Sequence, residues 1–270
     1  YFGAIEGASL EANKGAYSYA WMIIFAVIAA IMVLIGLYHI RMLPSNQIPS
    51  TTKKTTSEVG RELVAVIANF FTKKHIFYYI CFIILYRLAE GFIMKIAPLF
   101  LRASREVGGL GLSLKEIGTL NGVFGSAAFV LGSLLAGIYV SKFGLKRTLF
   151  TLCCIFNLPF LAYTFLAVTQ PTNVYLIGTC ITMEYFGYGF GFVGLTLFMM
   201  QQIAPGKHQM SHYAFASGIM NLGVMLPGMV SGYFSDLLGY RNFFIYVLIA
   251  TIPAFLITYF IPFTYDDSKK

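Results

Sequence analysis

The 270-residue chain is 58% hydrophobic and 11% charged, with a mean hydropathy of +0.74 and a formal net charge of +8. Soluble domains carry about 25% charged residues, so this composition excludes an ordinary soluble domain and indicates an integral membrane protein. Outside the apolar segments there is no basic domain with interleaved aromatic side chains, so the positive charge does not indicate a nucleic-acid partner.

Seven apolar runs are long enough for helices that cross about 30 Å of hydrocarbon. In chain order they are Tyr17 to Ile40, Ile76 to Leu101, Ile117 to Val140, Thr148 to Val168, Tyr175 to Met200, Tyr213 to Phe234 and Phe243 to Phe263. The runs are continuous, whereas a β-barrel would show short alternating segments. We therefore predict an all-α integral membrane protein with about seven transmembrane helices.

The longest connection covers residues 41–75. It begins with "PSNQIPSTTKKTTSEVGRE", rich in Pro, Ser and Thr, and becomes amphipathic at "EVGRELVAVIANFF". This pattern predicts a flexible linker that runs into an interfacial helix. The chain starts with "YFGAIEGASLEANKG", which contains no Met and no cleavable signal peptide. Together with the odd number of spans, this start leads us to expect a segment that is internal to a longer protein.

The basic residues are distributed unevenly between the two sides of the predicted bundle. Lys and Arg are retained on the cytoplasmic side of membrane proteins. One side collects twelve of them, namely Arg41, Lys53, Lys54, Arg61, Lys73, Lys74, Lys142, Lys146, Arg147, Lys207, Lys269 and Lys270. The other side has five, namely Lys14, Arg102, Arg105, Lys115 and Arg241. The linker and the C-terminus are therefore predicted to be cytoplasmic.

Three charged residues, Arg87, Glu90 and Lys95, lie inside the second span, in "YRLAEGFIMK". A charged side chain in mid-membrane costs roughly 2.5–3.5 kcal/mol, so it normally faces a partner or a wet cavity. At about 100° per residue, the three share one helix face. Arg87 and Glu90 could simply neutralise each other as an i, i+3 pair. Alternatively, this face lines a cavity in which Arg87 and Lys95 hold anionic parts of a substrate, although Lys95 could also snorkel to the interface.

Glu184, in "TMEYFGYGFGF", is a second acid inside a predicted span, and it has no basic neighbour in sequence. It must be protonated, paired across helices or exposed to a cavity. We hypothesise that Glu184 is a proton-coupling site; the alternative is a neutral acid that hydrogen-bonds to nearby backbone. Asn121 is a candidate polar residue of the same cavity, or an ordinary interhelical hydrogen-bonding group.

Two turns share one pattern, "GIYVSKFGLKR" at residues 137–147 and "GYFSDLLGYRN" at residues 232–242. Glycine permits close helix approach and a sharp turn, and basic residues at helix ends can pair with carboxylates or carbonyls. A generic hairpin obeying the positive-inside rule is the alternative. The residues that form the pattern are Gly137, Lys142, Gly144, Lys146, Arg147, Gly232, Asp236, Gly239 and Arg241. Both turns resemble the G-x-x-x-[DSK]-x-x-G-x-[KR]-[KR] turn of major facilitator superfamily transporters.

Longer stretches narrow this resemblance. They are "YRLAEGF", "GLSLKEIGTLNGVFG", "MEYFGYGFG" and "HYAFASGIMNLG" followed by "PGMVSGYFSDLLGYRNFFIYVLIATIPAFL". They resemble AmpG-type muropeptide permeases and their acetyl-CoA-transporter relatives, with Gly223-Val224 standing where that pattern has a basic residue. The resemblance implies that the spans are helices 6 to 12 of a twelve-helix transporter. Residues 1–40 would end an N-terminal half, 41–75 would be the cytoplasmic linker, and 76–270 would form the C-terminal six-helix bundle with a short tail.

The function implied by this resemblance is secondary active transport by alternating access. We expect proton-coupled import of a muropeptide or related sugar-peptide across a bacterial inner membrane. The expected partners are the lipid bilayer, the solute, protons and an N-terminal half of the transporter. No cofactor or metal is expected, because Cys81, Cys153, Cys154 and Cys180 lie inside predicted spans without a CxxC pair. There is no GxSxG or HExxH, so we do not expect an enzyme. A membrane receptor or assembly subunit, or a facilitator for a different sugar or organic anion, remains the alternative.

Overall fold

A computed structural model describes residues 13–42 and 55–265 of the chain. The chain divides into two units, residues 1–55 and 56–270. The described part of the first unit is dominated by one 29-residue helix, α1 (Lys14–Met42), which is apolar along most of its length. Residues 1–12 of the predicted N-terminal loop, residues 43–54 of the predicted linker and residues 266–270 of the predicted tail lie outside the described residues.

The described residues of the second unit are mainly helical, and no strand occurs among them. Its helices are α2 (Thr56–Phe71), α3 (Ile76–Tyr86), α4 (Leu88–Arg102), α5 (Leu114–Thr119), α6 (Ser126–Phe143), α7 (Leu145–Asn157), α8 (Phe160–Thr169), α9 (Val174–Phe198), α10 (Gln209–Ala250) and α11 (Ile252–Tyr259). Two short π-helical segments, Leu120–Gly125 and Met199–Ile203, continue α5 into α6 and extend α9.

Helices occupy all seven predicted span positions, so the all-α fold class is confirmed. Five stretches of the described residues are long and apolar enough to cross a membrane: Lys14–Met42, Ile76–Arg102, Leu114–Phe143, Leu145–Thr169 and Gln209–Tyr259. The last is 51 residues long and holds two predicted spans. The predicted span from Tyr175 to Met200 corresponds to α9, which is not among the five and carries Glu184 with several glycines and tyrosines.

The sequence led us to expect one continuous helix for the second span, but the structure contains two. Arg87 has φ −103° and ψ 5°, so α3 ends at Tyr86 and α4 begins at Leu88. These angles lie in the sparsely populated bridge region between the helical and extended regions. A constant rotation of 100° per residue therefore does not hold across Arg87. Arg87 and Glu90 are both buried, whereas Lys95 is exposed, so the single polar face predicted for all three residues is wrong.

Two other predicted boundaries also differ from the structure. The span from Thr148 to Val168 is divided into α7 and α8 at Leu158 and Pro159, because proline has no N–H to donate within a helix. In contrast, the last two spans are joined without a loop, since the chain passes through Gly239 at φ 69° and ψ 161° and continues at once as helix. Glycine adopts this positive φ without the steric penalty of a side chain.

The amphipathic helix predicted in the linker is α2, and it packs on the N-terminal part of α10. Phe70 is fully buried, and its ring lies 4.7 Å from that of Phe215 between centroids. His212 Nε2 lies 3.2 Å from the carbonyl oxygen of Val66. Leu63, by comparison, is exposed. The C-terminal end of α2 is thus docked on the bundle, while the interfacial role of its outer face stays a prediction.

The buried apolar side chains of the second unit form two clusters. The first includes Phe82 and Tyr86 of α3, and the second includes Phe92 and Phe100 of α4. The break at Arg87 therefore lies between the two clusters along the chain. Arg87 and Glu90 are both buried at this position, and they provide the starting point of the candidate site.

Candidate functional site

A cavity of about 110 Å³ lies between α4, the first π-helical segment, α8 and α9. Its lining residues are Glu90, Ile93, Met94, Ala97, Pro98, Leu101, Asn121, Tyr163, Glu184, Tyr185 and Tyr188. The structure thus brings together three of the residues singled out in the sequence, Glu90, Asn121 and Glu184. They come from three separate helical segments, so their assembly depends on the packing of the bundle.

Glu90 forms a buried ion pair with Arg87, which stands at the end of α3. Arg87 Nε donates to Glu90 Oε2 over 2.6 Å and Arg87 Nη2 donates to Glu90 Oε1 over 2.5 Å. Both residues are only 5% exposed. A bidentate pair of this kind matches the planar guanidinium to the carboxylate, and removing one partner would leave an uncompensated buried charge. The i, i+3 pairing considered from the sequence is therefore present, at the edge of the cavity.

Aromatic side chains of α9 surround Arg87 on its other side. Arg87 Nη2 lies 3.5 Å from the hydroxyl oxygen of Tyr188, which itself lines the cavity. The Arg87 Cζ atom lies 5.4 Å from the centre of the Phe192 ring, within the range of a cation–π interaction. Tyr188 and Phe192 follow Glu184 at intervals of four residues, which places all three on one face of α9.

Glu184 faces the cavity from α9. It is half-buried, and among the described residues it forms neither a hydrogen bond nor an ion pair. A carboxyl group in such a place is stable when protonated, or when water or a ligand reaches it. The expectation that Glu184 has no local basic neighbour agrees with this geometry, whereas its role in proton coupling is a proposal.

Asn121 faces the same cavity from the first π-helical segment. Its side-chain oxygen is buried and has no hydrogen-bond partner in the described residues. Single π-helical turns inside α-helices often occur at functional sites, because they redirect side chains and leave backbone groups free. An unpaired amide oxygen and an unpaired carboxyl group thus line one small space.

Lys95 is not part of this cavity. It is exposed on α4, and its aliphatic carbons lie against Gly228 of α10. A Cβ atom added to Gly228 would lie 3.3 Å from Lys95 Cγ. The glycine makes room for the lysine stem, and the charged end stays accessible. Lys95 therefore lies on a different surface of α4 from the buried pair of Arg87 and Glu90.

The two turns of the repeated pattern have the same local conformation. Gly144 has φ 78° and ψ 149°, and Gly239 has φ 69° and ψ 161°. Lys142 and Arg147 flank the first turn and are exposed. Gly137 and Gly232 have open space around them, since no atom of another described element lies within 4 Å of a side-chain carbon placed there. The remaining residues of the pattern, Lys146, Asp236 and Arg241, lie beside these turns, and none lines the cavity.

Sequence reasoning missed the tyrosines of the cavity and a polar cluster at the end of α9. Lys73 Nζ donates to the carbonyl oxygens of Ile203 and Pro205, each over 2.6 Å. Gln202 donates to the Tyr265 carbonyl oxygen over 2.6 Å and accepts from the Thr264 N–H over 2.8 Å. Partial burial lowers the pKa of Lys73 below its ordinary value. The linker and the C-terminal segment are thus both fastened to the end of α9, a contact between distant residues that no local pattern indicated.

Chemically, the cavity can exchange a proton and can bind a small polar group. Glu184 offers a titratable oxygen, Asn121 offers an acceptor and the tyrosines offer hydroxyl groups. The neighbouring Arg87 and Glu90 keep a fixed pair of opposite charges close by. Such a combination in the interior of a membrane bundle is typical of an ion or substrate pathway.

Comparison with known proteins gives a family match. The family model described as Major Facilitator Superfamily matches residues 12–205. The chain is 23% identical over 209 residues to the anhydromuropeptide permease of Escherichia coli (strain K12), covering 77% of this chain and 41% of that protein. It is 25% identical over 238 residues to the protein named transporter AmpG 1 in Rickettsia bellii (strain RML369-C), covering 87% and 56%. The chain spans about half the length of these relatives.

Proposed function

Because the chain belongs to the Major Facilitator Superfamily, we propose that it acts in a proton-coupled secondary transporter that works by alternating access. The observation that carries this proposal is Glu184, an unpaired carboxyl group that faces a polar cavity inside the bundle. In this superfamily the substrate site lies near the middle of the bilayer, between two repeated half-bundles. Residues 76–265 would supply one wall of that site, and a second half-bundle would supply the other.

The proposed coupling step is a change in the charge of Glu184. When the cavity is closed to water, the low dielectric favours the neutral carboxyl group. When the cavity opens, water solvates the carboxylate and the proton leaves. The ion pair of Arg87 and Glu90 would remain in both states, so the net charge of the region changes by one at Glu184. A ligand that binds better to one of the two states then shifts the population toward that state.

The proposed substrate is a sugar-linked cell-wall peptide fragment, imported across a bacterial inner membrane. Support comes from the similarity to the anhydromuropeptide permease of Escherichia coli. Such a fragment carries carboxylates, and Lys95 offers an accessible ammonium group on α4 to bind them. The basic side of the bundle, with Lys73 and Lys74, would face the cytoplasm.

Uptake into proteoliposomes tests this function. The complete transporter is reconstituted, a proton gradient is imposed, and accumulation of a labelled muropeptide is measured. We expect accumulation by the unmodified protein and loss of gradient-driven accumulation in Glu184→Gln, which keeps the shape of the side chain but cannot release a proton. The matched control is Glu106→Gln, because Glu106 is an exposed acid outside the cavity.

The outcomes separate the parts of the proposal. Full gradient-driven uptake in Glu184→Gln contradicts the coupling assignment. If Glu184→Gln still exchanges labelled substrate across the membrane without a gradient, then the substrate site is intact and only coupling is lost, as proposed. Failure of the unmodified protein to move the muropeptide, with transport of another sugar or organic anion, contradicts the substrate assignment. Failure to move any solute favours the receptor or assembly function instead.

A further inference from the structure

A second pocket, of about 530 Å³, lies where α6 ends, α7 begins and α9 ends. Its lining residues are Gly137, Val140, Ser141, Lys142, Phe143, Gly144, Arg147, Val193, Leu197 and Gln201. All of them belong to the described part of the chain. Two of them are cations and none is acidic, so the pocket carries a net positive charge.

The two cations, Lys142 and Arg147, are available to a ligand. Within residues 13–42 and 55–265, neither of them forms a hydrogen bond or an ion pair with another residue, and both are exposed. The α7 helix also begins beside this pocket, and its N-cap residue, Gly144, provides no side-chain cap. Its first N–H groups add donors and a positive partial charge to those of the two side chains. The charge of the pocket is suited to an anion such as a phosphate group.

The remaining wall of the pocket is apolar, which favours an anion that also has an apolar part. Val140, Phe143, Val193 and Leu197 extend from the charged rim along α6 and α9. The α6 helix belongs to the stretch Leu114–Phe143, which is long and apolar enough to cross a membrane, and the pocket lies at its end. A ligand that fills the whole pocket would therefore have an anionic head beside Lys142 and an apolar body along Leu197. A soluble phosphate compound would leave the apolar wall uncovered.

The surrounding charges favour the same kind of ligand. Lys73 binds the end of α9 at Ile203, so it lies at the same end of the bundle as this pocket. Lys74 is adjacent to Lys73, Lys207 follows Ile203 by four residues, and both are exposed. Clusters of basic residues at the membrane surface attract anionic lipids, and the attraction decreases with ionic strength.

We propose that this pocket is a binding site for an anionic phospholipid, with the lipid phosphate held by Lys142 and Arg147 and an acyl chain along Val140, Val193 and Leu197. The site is separate from the cavity that contains Glu184, because the two share no lining residue. The proposal therefore does not depend on proton coupling or on the identity of the transported solute.

Native mass spectrometry of the complete protein in detergent tests the site. The protein is titrated with phosphatidylglycerol and, separately, with phosphatidylcholine, and the bound lipid is counted. We expect tighter binding of phosphatidylglycerol to the unmodified protein. The double variant Lys142→Gln with Arg147→Gln should bind it about 30-fold more weakly, since each basic residue near a lipid surface contributes about 5-fold. The matched control is Lys74→Gln with Lys207→Gln, which removes two charges outside the pocket.

Each result decides the proposal. Unchanged binding in the double variant, or an equal loss in the control, overturns it, because general surface charge would then explain the preference. Displacement of phosphatidylglycerol by millimolar inorganic phosphate assigns the pocket to a free anion and also overturns it. Circular dichroism verifies the fold of each variant. If the double variant does not fold, lipid binding by the unmodified protein is compared at low and high salt. A preference for phosphatidylglycerol that does not change with salt contradicts binding through Lys142 and Arg147.

Discussion

Arg87 and Glu90 face each other across the break between α3 and α4, joined by two hydrogen bonds of 2.6 and 2.5 Å. The ion pair forms at the helix break itself. Arg87 leaves helical geometry, its carbonyl oxygen accepts from Gly91 N–H over 3.0 Å to start α4, and its side chain meets the carboxylate of the first turn. An acid in that turn also interacts favourably with the helix dipole. A buried charge at this point is thus compensated locally.

Removing one member of this pair should destabilise the protein more than removing both. We expect Arg87→Met to lower the free energy of unfolding by about 3–5 kcal/mol, because Glu90 remains buried without its partner. Arg87→Met combined with Glu90→Met should recover most of that loss. Equilibrium unfolding in detergent measures both, with Arg102→Met at the exposed end of α4 as the control. A double variant less stable than either single variant contradicts this account.

The close approach of α4 and α10 at Gly91 gives a second prediction. A side-chain carbon at Gly91 would lie 2.7 Å from the carbonyl oxygen of Val224 and would also collide with the ring of Pro227. We expect Gly91→Ala to cost about 1–3 kcal/mol of stability, since a packed crossing tolerates extra volume poorly. Unfolding in detergent measures this cost.

The control for Gly91 is Gly218, a glycine on α10. No atom of another described element lies within 4 Å of a side-chain carbon placed at Gly218. Gly218→Ala should therefore raise stability by about 0.5–1 kcal/mol, because alanine loses less backbone entropy in a helix. Equal effects at Gly91 and Gly218 would show that helix propensity, and not the crossing, decides the outcome.

Asn121 should be more important for transport than for stability. Its buried amide oxygen has no partner among the described residues, and such a group costs about 1–3 kcal/mol. Asn121→Leu should consequently leave the free energy of unfolding unchanged or higher, while solute uptake falls. Asn157→Leu serves as the contrast, because Asn157 donates to the Cys153 carbonyl oxygen over 3.0 Å and lies outside the cavity. Solute uptake should be retained in Asn157→Leu. An equal loss of uptake in that variant would contradict a specific role for Asn121 in transport.

Lys73 should stabilise the end of α9. Its ammonium group donates to the carbonyl oxygen of Ile203, at the end of the helix, and to that of Pro205, just beyond it. Lys73→Met should therefore cost about 1–3 kcal/mol after allowance for its partial exposure. Hydrogen exchange at residues 199–205 should become faster in this variant. Lys74→Met is the control, since Lys74 is exposed and adjacent. Unchanged exchange at the end of α9 would rule out this role.

Much of the fold could be predicted from the sequence, because the relevant signals are local. Long apolar runs predict helices of membrane length, and the i, i+3 spacing of Arg87 and Glu90 allows the ion pair that the structure contains. The positions of Gly144 and Gly239 indicate turns, since glycine adopts positive φ at low cost. These inferences need only neighbours within one or two helical turns.

The candidate site required the tertiary structure. The sequence alone determined that an acid and a charged pair lie in apolar helices. It also marked them as candidates for a functional site, because burying a charge in hydrocarbon is costly wherever it occurs. The sequence could not decide that Glu90 is paired with Arg87 while Glu184 has no partner among the described residues. Nor could it decide that Lys95 lies on a different surface of α4 from Glu90. Those distinctions depend on the break at Arg87 and on which helices meet around the cavity. Packing between residues far apart in sequence sets them, and a helical period carries no information about such contacts.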